Sequence, residues 1–113
     1  DIFSAIVHHI LGQQISTAAQ ATVWNRLLYT VGSVSADSLT ALGRERLQQV
    51  GTTYKKADYI LDLAEQVRRG TLDPEQLWSL SDEDVIRELT KLKGVGVWTA
   101  EMILIFCMQR RMF

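Results

Sequence analysis

The chain has 113 residues, 47% of them apolar and 22% charged, with a formal net charge of −1. A chain of this length buries roughly two-thirds of its unfolded surface, enough for one domain with its own core, and its composition is globular rather than disordered. No apolar run approaches the ~20 residues that cross a bilayer, one cysteine excludes an internal disulfide or a four-cysteine metal site, and the near-neutral charge offers no bulk attraction to a polyanion.

In chain order, Ile2, Phe3, Ile6, Val7, Ile10 and Leu11 recur at helical spacing and predict an amphipathic helix over 2–11. "GQQIS" interrupts it. Ser16 is a good N-cap for a second helix striped by Ala19, Val23, Trp24, Leu27, Leu28 and Val31 and closed by Gly32. "SVSADS" (33–38) reads as a turn-rich connector. A short helix follows around Arg44–Val50, ending at Gly51, and then a clear one at Lys56–Arg69 with Gly70 at its C-terminal stop. Asp73-Pro74 pairs an N-cap with proline at the first helical position. Ser81–Asp84 caps a helix from Val85 to Leu92 in a near capping box, and the last helix runs from Val97 to about Gln109. With no alternating runs and no Asn-Gly hairpins, the fold class is all-α, seven or so short helices in one domain spanning 1–113.

The start lacks the basic region and small-residue cleavage site of a secretion signal, and the lone Cys107 suits a reducing setting. An intracellular protein without membrane partners is expected: cytoplasmic (at the nucleoid) in a bacterium, otherwise nuclear. Opening on Asp1 and stopping at "QRRMF", the chain reads as the middle of a longer protein.

"KLKGVGVWTAE" (91–101) places two glycines within three positions, each lowering helix propensity by about 1 kcal/mol relative to alanine. One reading is a glycine C-cap followed by a new helix. A dinucleotide fingerprint fails, because a helix precedes the glycines and Thr99 stands where a third glycine belongs. The remaining reading is an anion site. A Gly-x-Gly turn exposes amide N–H groups at the positive end of the next helix, and missing Cβ atoms let a phosphate approach.

Leu92-Lys93-Gly94-Val95-Gly96, followed by Thr99-Ala100, resembles the helix-hairpin-helix motif (about 85–108) of the base-excision DNA glycosylases. "ILGQQIS" (10–16), "GTTYKKADYILDLA" (51–64) and "LWSLSDEDVIRELTKLKGVGVWTAEMIL" (77–104) extend the likeness, in order, to the 3-methyladenine DNA glycosylase II branch. The resemblance implies a monofunctional hydrolase that extrudes an alkylated purine such as 3-methyladenine from damaged double-stranded DNA, acting as a monomer. The N–H groups of Gly94, Gly96 and Thr99 would then bind a DNA phosphate, with Lys93 adding a point charge. The backbone carbonyls of Thr90, Leu92 and Val95 would hold a monovalent cation, potassium or sodium; no other cofactor is implied. The family's iron–sulfur members place their cluster cysteines beyond the catalytic aspartate.

By the same resemblance, Gln14 is the intercalating wedge that fills the space of the extruded base, while Gln13 faces the fold. Read alone, Gln14 is a loop glutamine at a helix end. Trp98 stands where bifunctional members carry a lysine nucleophile, so no Schiff base can form. It would line the base pocket with Met102 one turn on, where the family can place an aromatic; read alone, it is a core tryptophan. The family's catalytic aspartate is expected beyond Phe113, and Asp82 and Asp84 are committed to a helix start, so these 113 residues alone should be inactive.

Elsewhere, His8 and His9 point about 100° apart on a helix and do not suggest a metal pair. Lys55 and Lys56 precede a helix and read as a solvated face or a DNA contact. Tyr54, Trp24 and Trp78 read as core or pocket wall, and Cys107 as buried and inert. Two other functions remain open: a non-catalytic helix-hairpin-helix DNA-binding module, and a glycosylase for another lesion, either an adenine mismatch or an oxidised pyrimidine.

Overall fold

Helix α1 (Ile2–Gly12) is the axis of the fold. Its residues Ile2, Ile6, Ile10 and Leu11 are fully buried, which explains why its sequence is apolar on more than one side. The structure, a computed structural model, describes residues 1–110, and every regular element among them is helical. Around α1 pack α2 (Thr17–Val31), α5 (Tyr54–Arg69), a 3-10 turn (Pro74–Ser79) and a π-helical segment (Ile103–Cys107). Between α2 and α5 the chain forms two short helices, α3 (Ala36–Leu42) and α4 (Arg44–Gln48), both packed on α5. Helix α6 (Asp82–Thr90) and α7 (Val97–Met102), joined by the glycine turn, pack on each other ahead of the π-helical segment. None of the described helices is long and apolar enough to cross a membrane.

Caps set most of the boundaries. Ser16 Oγ accepts from the Ala19 amide at 3.1 Å, and Thr53 Oγ1 from the Lys56 amide at 3.1 Å, so α5 begins two residues before the expected Lys56. The expected connector at 33–38 instead contains a capping box. Ser35 Oγ accepts from the Ser38 amide and Ser38 Oγ from the Ser35 amide, both at 3.0 Å, and the helix this starts buries Leu39 and Leu42. Ser38 replaces the usual Glu or Gln at the third position, which is why the signal reads as a loop.

Helix α6 begins at Asp82 and ends at Thr90, earlier at both ends than expected. Ser81 Oγ accepts from the Asp84 amide at 3.2 Å, but the Asp84 carboxylate pairs with Arg87 at 2.7 Å instead of returning to the cap, so the box is half-formed. The last helix is also not one continuous α-helix to Gln109. After Met102 the hydrogen bonding widens, with the Met108 amide donating to the Ile103 carbonyl at 3.0 Å. The wider turn brings Ile103, Leu104 and Met108 to the core together.

Candidate nucleic-acid interface

The two glycines of the 91–101 segment have different physical causes. Gly94 has φ +82°, and a Cβ there would stand 2.4 Å from Cδ2 of the Tyr59 ring. Only glycine satisfies both conditions, so the fold itself requires it. Gly96 has φ −91° and ψ −179°, ordinary extended backbone, and a Cβ there would meet nothing within 4 Å. Nothing among the described residues requires a bare position there.

What lies in front of Gly96 is a row of free donors. The first α7 amide with a backbone acceptor is that of Ala100, which donates to the Gly96 carbonyl at 3.0 Å. Among the described residues the amides of Gly94, Gly96, Val97, Trp98 and Thr99 donate to neither backbone nor side chain. The expected trio of Gly94, Gly96 and Thr99 is thus joined by Val97 and Trp98. Helix position alone identifies those two, since the first amides of any helix lack partners. The space beside Gly94 where a Cβ would stand is filled by the Tyr59 ring, whereas that beside Gly96 is open.

The loop between α1 and α2 is tied to this hairpin. Gln13 Nε2 donates to the Gly94 carbonyl at 2.6 Å, so Gln13 does face the fold. Lys56 Nζ donates to the carbonyls of Leu11 at 3.2 Å and Gln13 at 2.5 Å, capping the C-terminal end of α1. Burial in this role pushes the Lys56 ammonium below its ordinary pKa. Lys56 is therefore neither a solvated face nor a free DNA contact. Lys55, by contrast, is exposed and lies 6.0 Å from the Tyr59 ring centre.

With its neighbours fixed, Gln14 projects from the loop tip. It is exposed and has φ +61°, a left-handed conformation unusual for a residue with a side chain. Ile15 beside it is 40% exposed, an apolar contribution to the tip that the sequence pattern did not single out. Gln13, Gln14, Ile15, Thr53, Lys55 and Gly94 all line one groove of about 470 Å³. Residues some 80 positions apart in sequence, the wedge candidate and the amide turn, share a single surface.

Trp98 is 69% exposed on the outer side of α7, which removes the core alternative for it. Met102, one turn on, is half-buried, and Phe106 beyond it is 71% exposed. At the turn, the Thr90 and Val95 carbonyls accept no backbone hydrogen bond among the described residues, and that of Leu92 accepts only the Val95 amide at 3.2 Å. Each oxygen keeps at least one lone pair, so this neutral donor set fits a monovalent cation.

Asp82 receives Arg110 at 3.0 Å and Asp84 receives Arg87, consistent with helix-start duties for both. The position expected for the catalytic aspartate lies outside the described residues. The His8 ring packs edge-on against Trp24, 5.0 Å between centres, and burial followed by the nearby His8 lowers the pKa of His9. Tyr54 and Trp78 are exposed rather than core, Tyr54 lying under the Arg44 guanidinium at 4.2 Å. Cys107 is half-buried, with its thiol pKa raised by desolvation.

Comparison with known proteins places this geometry. The family model described as HhH-GPD superfamily base excision DNA repair protein matches residues 7–109. The chain is 29% identical to the DNA-3-methyladenine glycosylase of Bacillus subtilis, covering 96% of the chain and 40% of that protein. Its structure resembles the crystal structure of a DNA-3-methyladenine glycosidase from Bacillus halodurans, with a TM-score of 0.90 and 34% identity over 97% of this chain and 52% of that one. It also resembles the Schizosaccharomyces pombe 3-methyladenine DNA glycosylase in complex with abasic DNA, with a TM-score of 0.83 and 27% identity over 93% and 53%. The chain spans about half the length, or less, of these relatives.

Proposed function

We propose that this chain, which belongs to the HhH-GPD superfamily of base excision DNA repair proteins, supplies the strand-gripping and duplex-opening part of a DNA-3-methyladenine glycosylase. The observation that carries this reading is the 2.6 Å hydrogen bond from Gln13 to the Gly94 carbonyl. It fixes the loop that bears Gln14 against the turn that bears the free amides. A pure DNA-binding module needs the amides but has no use for a strained, exposed glutamine locked beside them.

In this mechanism the amides of Gly94, Gly96 and Thr99, with those of Val97 and Trp98, hold a phosphate of the strand under repair. The glycosidic carbon is unreachable inside the stack, so the target nucleotide must rotate out. Gln14, backed by apolar Ile15, enters the space it leaves, and the flat amide can stack on and hydrogen-bond to the orphaned partner base. Trp98 offers an exposed aromatic face, which attracts a cationic methylated purine more than a neutral base. Met102 lies one turn along the same helix. Having no amine, Trp98 forms no covalent adduct, so water cleaves the N-glycosidic bond and the strand is left intact. The carboxylate that assists that step belongs beyond Phe113. A potassium or sodium ion on the carbonyls of Thr90, Leu92 and Val95 would add positive charge beside the phosphate. The protein acts as a monomer wherever the cell keeps its DNA.

The test uses the full-length protein on methylated duplex DNA, with chromatography of the released bases and a Gly96→Arg variant alongside. Release of methylated purines without strand cleavage, lost in the variant, is the expected result. DNA binding with no free base from any damaged duplex would overturn the glycosylase reading and leave the binding module.

A further inference from the structure

The charges of this chain are sorted by position. Six arginine and lysine side chains pair with carboxylates: Arg44, Arg68, Arg69, Arg87, Lys91 and Arg110. The described cations that make no such pair are Arg26, Arg46, Lys55, Lys56 and Lys93. The last three belong to the hairpin and the wedge groove. Arg26 and Arg46 belong to a second groove, of about 630 Å³, between α2 and α4.

That second groove forms because α2 packs on α1 and α3 while α4 packs on α3 and α5, which leaves a cleft between them. Its α2 wall presents Thr22, Asn25, Arg26, Tyr29 and Thr30, the polar face of a helix that buries only Val23 and Leu27. Its α4 wall presents Arg46 and Gln49 above Val50. No carboxylate lines it, and Tyr29 is 94% exposed. The Arg26 guanidinium lies over Gly51, with Nη1 3.2 Å from where a Cβ would stand. Two unpaired guanidiniums, hydroxyls, amides and a phenol, with no acid, form a site for phosphate oxygens.

The two grooves are neighbours. Val50 lines the second and Thr53 the first, and three residues of chain span at most about 10 Å. Along one strand of a duplex, where charges recur every ~3.4 Å of axis, that corresponds to about three phosphates. We infer that the α2–α4 groove is a second DNA-backbone site, in which Arg26 and Arg46 hold phosphates that flank those gripped at the hairpin. This rests on DNA being the substrate. It also bears on how a chain of net charge −1 engages a polyanion: acids pair the cations elsewhere, and among the described residues Arg26 and Arg46 in this groove, with Lys55 and Lys93 near the hairpin, are left free, Lys56 being taken up by the α1 carbonyls.

The test measures anisotropy of a labelled abasic-site duplex, and of an undamaged one, against salt concentration for the full-length protein. In Arg26→Gln/Arg46→Gln the slope of log K against log[salt] should flatten by about 2, roughly 0.9 for each phosphate that the protein no longer neutralises. Arg26→Lys/Arg46→Lys should keep the slope, which separates charge from damage to the fold. An unchanged slope in the glutamine variant overturns the site, as does equal flattening in the lysine variant. Saturable binding of inorganic phosphate with an unchanged DNA slope would also overturn it, in favour of a small-anion pocket. Failure of the glycosylase reading looks different: the wild type would then show no preference for the abasic duplex, while the slope could still be read on undamaged DNA.

Discussion

At the hairpin the unpartnered groups from Gly94 to Thr99 are main-chain amides; Leu92 and Val95 are buried and Gly96 has no side chain, while Lys91, Lys93 and Val97 stay exposed around them. At the loop of residues 12–16 the arrangement is reversed. There the main chain is tied down, with the Leu11 and Gln13 carbonyls held by Lys56, and the side chains of Gln14 and Ile15 project. One region presents backbone and the other side chains. On the proposed reading the difference follows from their targets. A phosphate is the same at every nucleotide and suits a fixed set of amides. A base stack must be entered, which needs a side chain with reach on a main chain that does not yield.

The comparison breaks first, and hardest, at Gly94. Gly94→Ala places a methyl against the Tyr59 ring in a left-handed backbone, and should cost about 2–4 kcal/mol in urea-unfolding free energy. An unchanged midpoint would show that the Tyr59 contact does not constrain the turn. Gly96→Ala should separate fold from function. Its stability should stay within about 0.5 kcal/mol of wild type, because the added Cβ meets nothing. Its affinity for an abasic duplex should fall about tenfold, or about 1.4 kcal/mol. Equal affinity would mean that phosphate does not approach the amides there. The smallest stability effect belongs to the loop. Gln14→Gly relieves the φ of +61° and should change stability by less than about 1 kcal/mol, with a gain more expected than a loss. The same variant should lose the fluorescence rise of 2-aminopurine placed opposite the lesion, since nothing would fill the gap; an unaltered rise would remove the wedge role.

Legibility followed the same division. The bare turn was readable because glycine spacing marks where main chain is left uncovered. Even so, the sequence treated Gly94 and Gly96 alike, and only the ring of Tyr59, 35 positions away, separates them. Lys56 was misread as a surface cation because its acceptors lie 43 and 45 residues earlier. Helix α3 was missed for a local reason, a serine performing the task of a capping glutamate. The core alternative for Tyr54 and Trp78 fails because burial of an aromatic depends on what packs over it, which composition does not record.

By itself the sequence determined most of the helices, several of their caps and the bare turn, because each rests on hydrogen bonds and steric limits spanning three or four residues. The tertiary structure decided which of these features share a surface. Burial of α1 at the centre sets the ends of α1, α5 and α6 side by side, and so places Gln13 against Gly94. The splay of α2 from α4 leaves Arg26 and Arg46 facing a cleft without acids. Those outcomes depend on packing between segments far apart in the chain, where no local rule reaches.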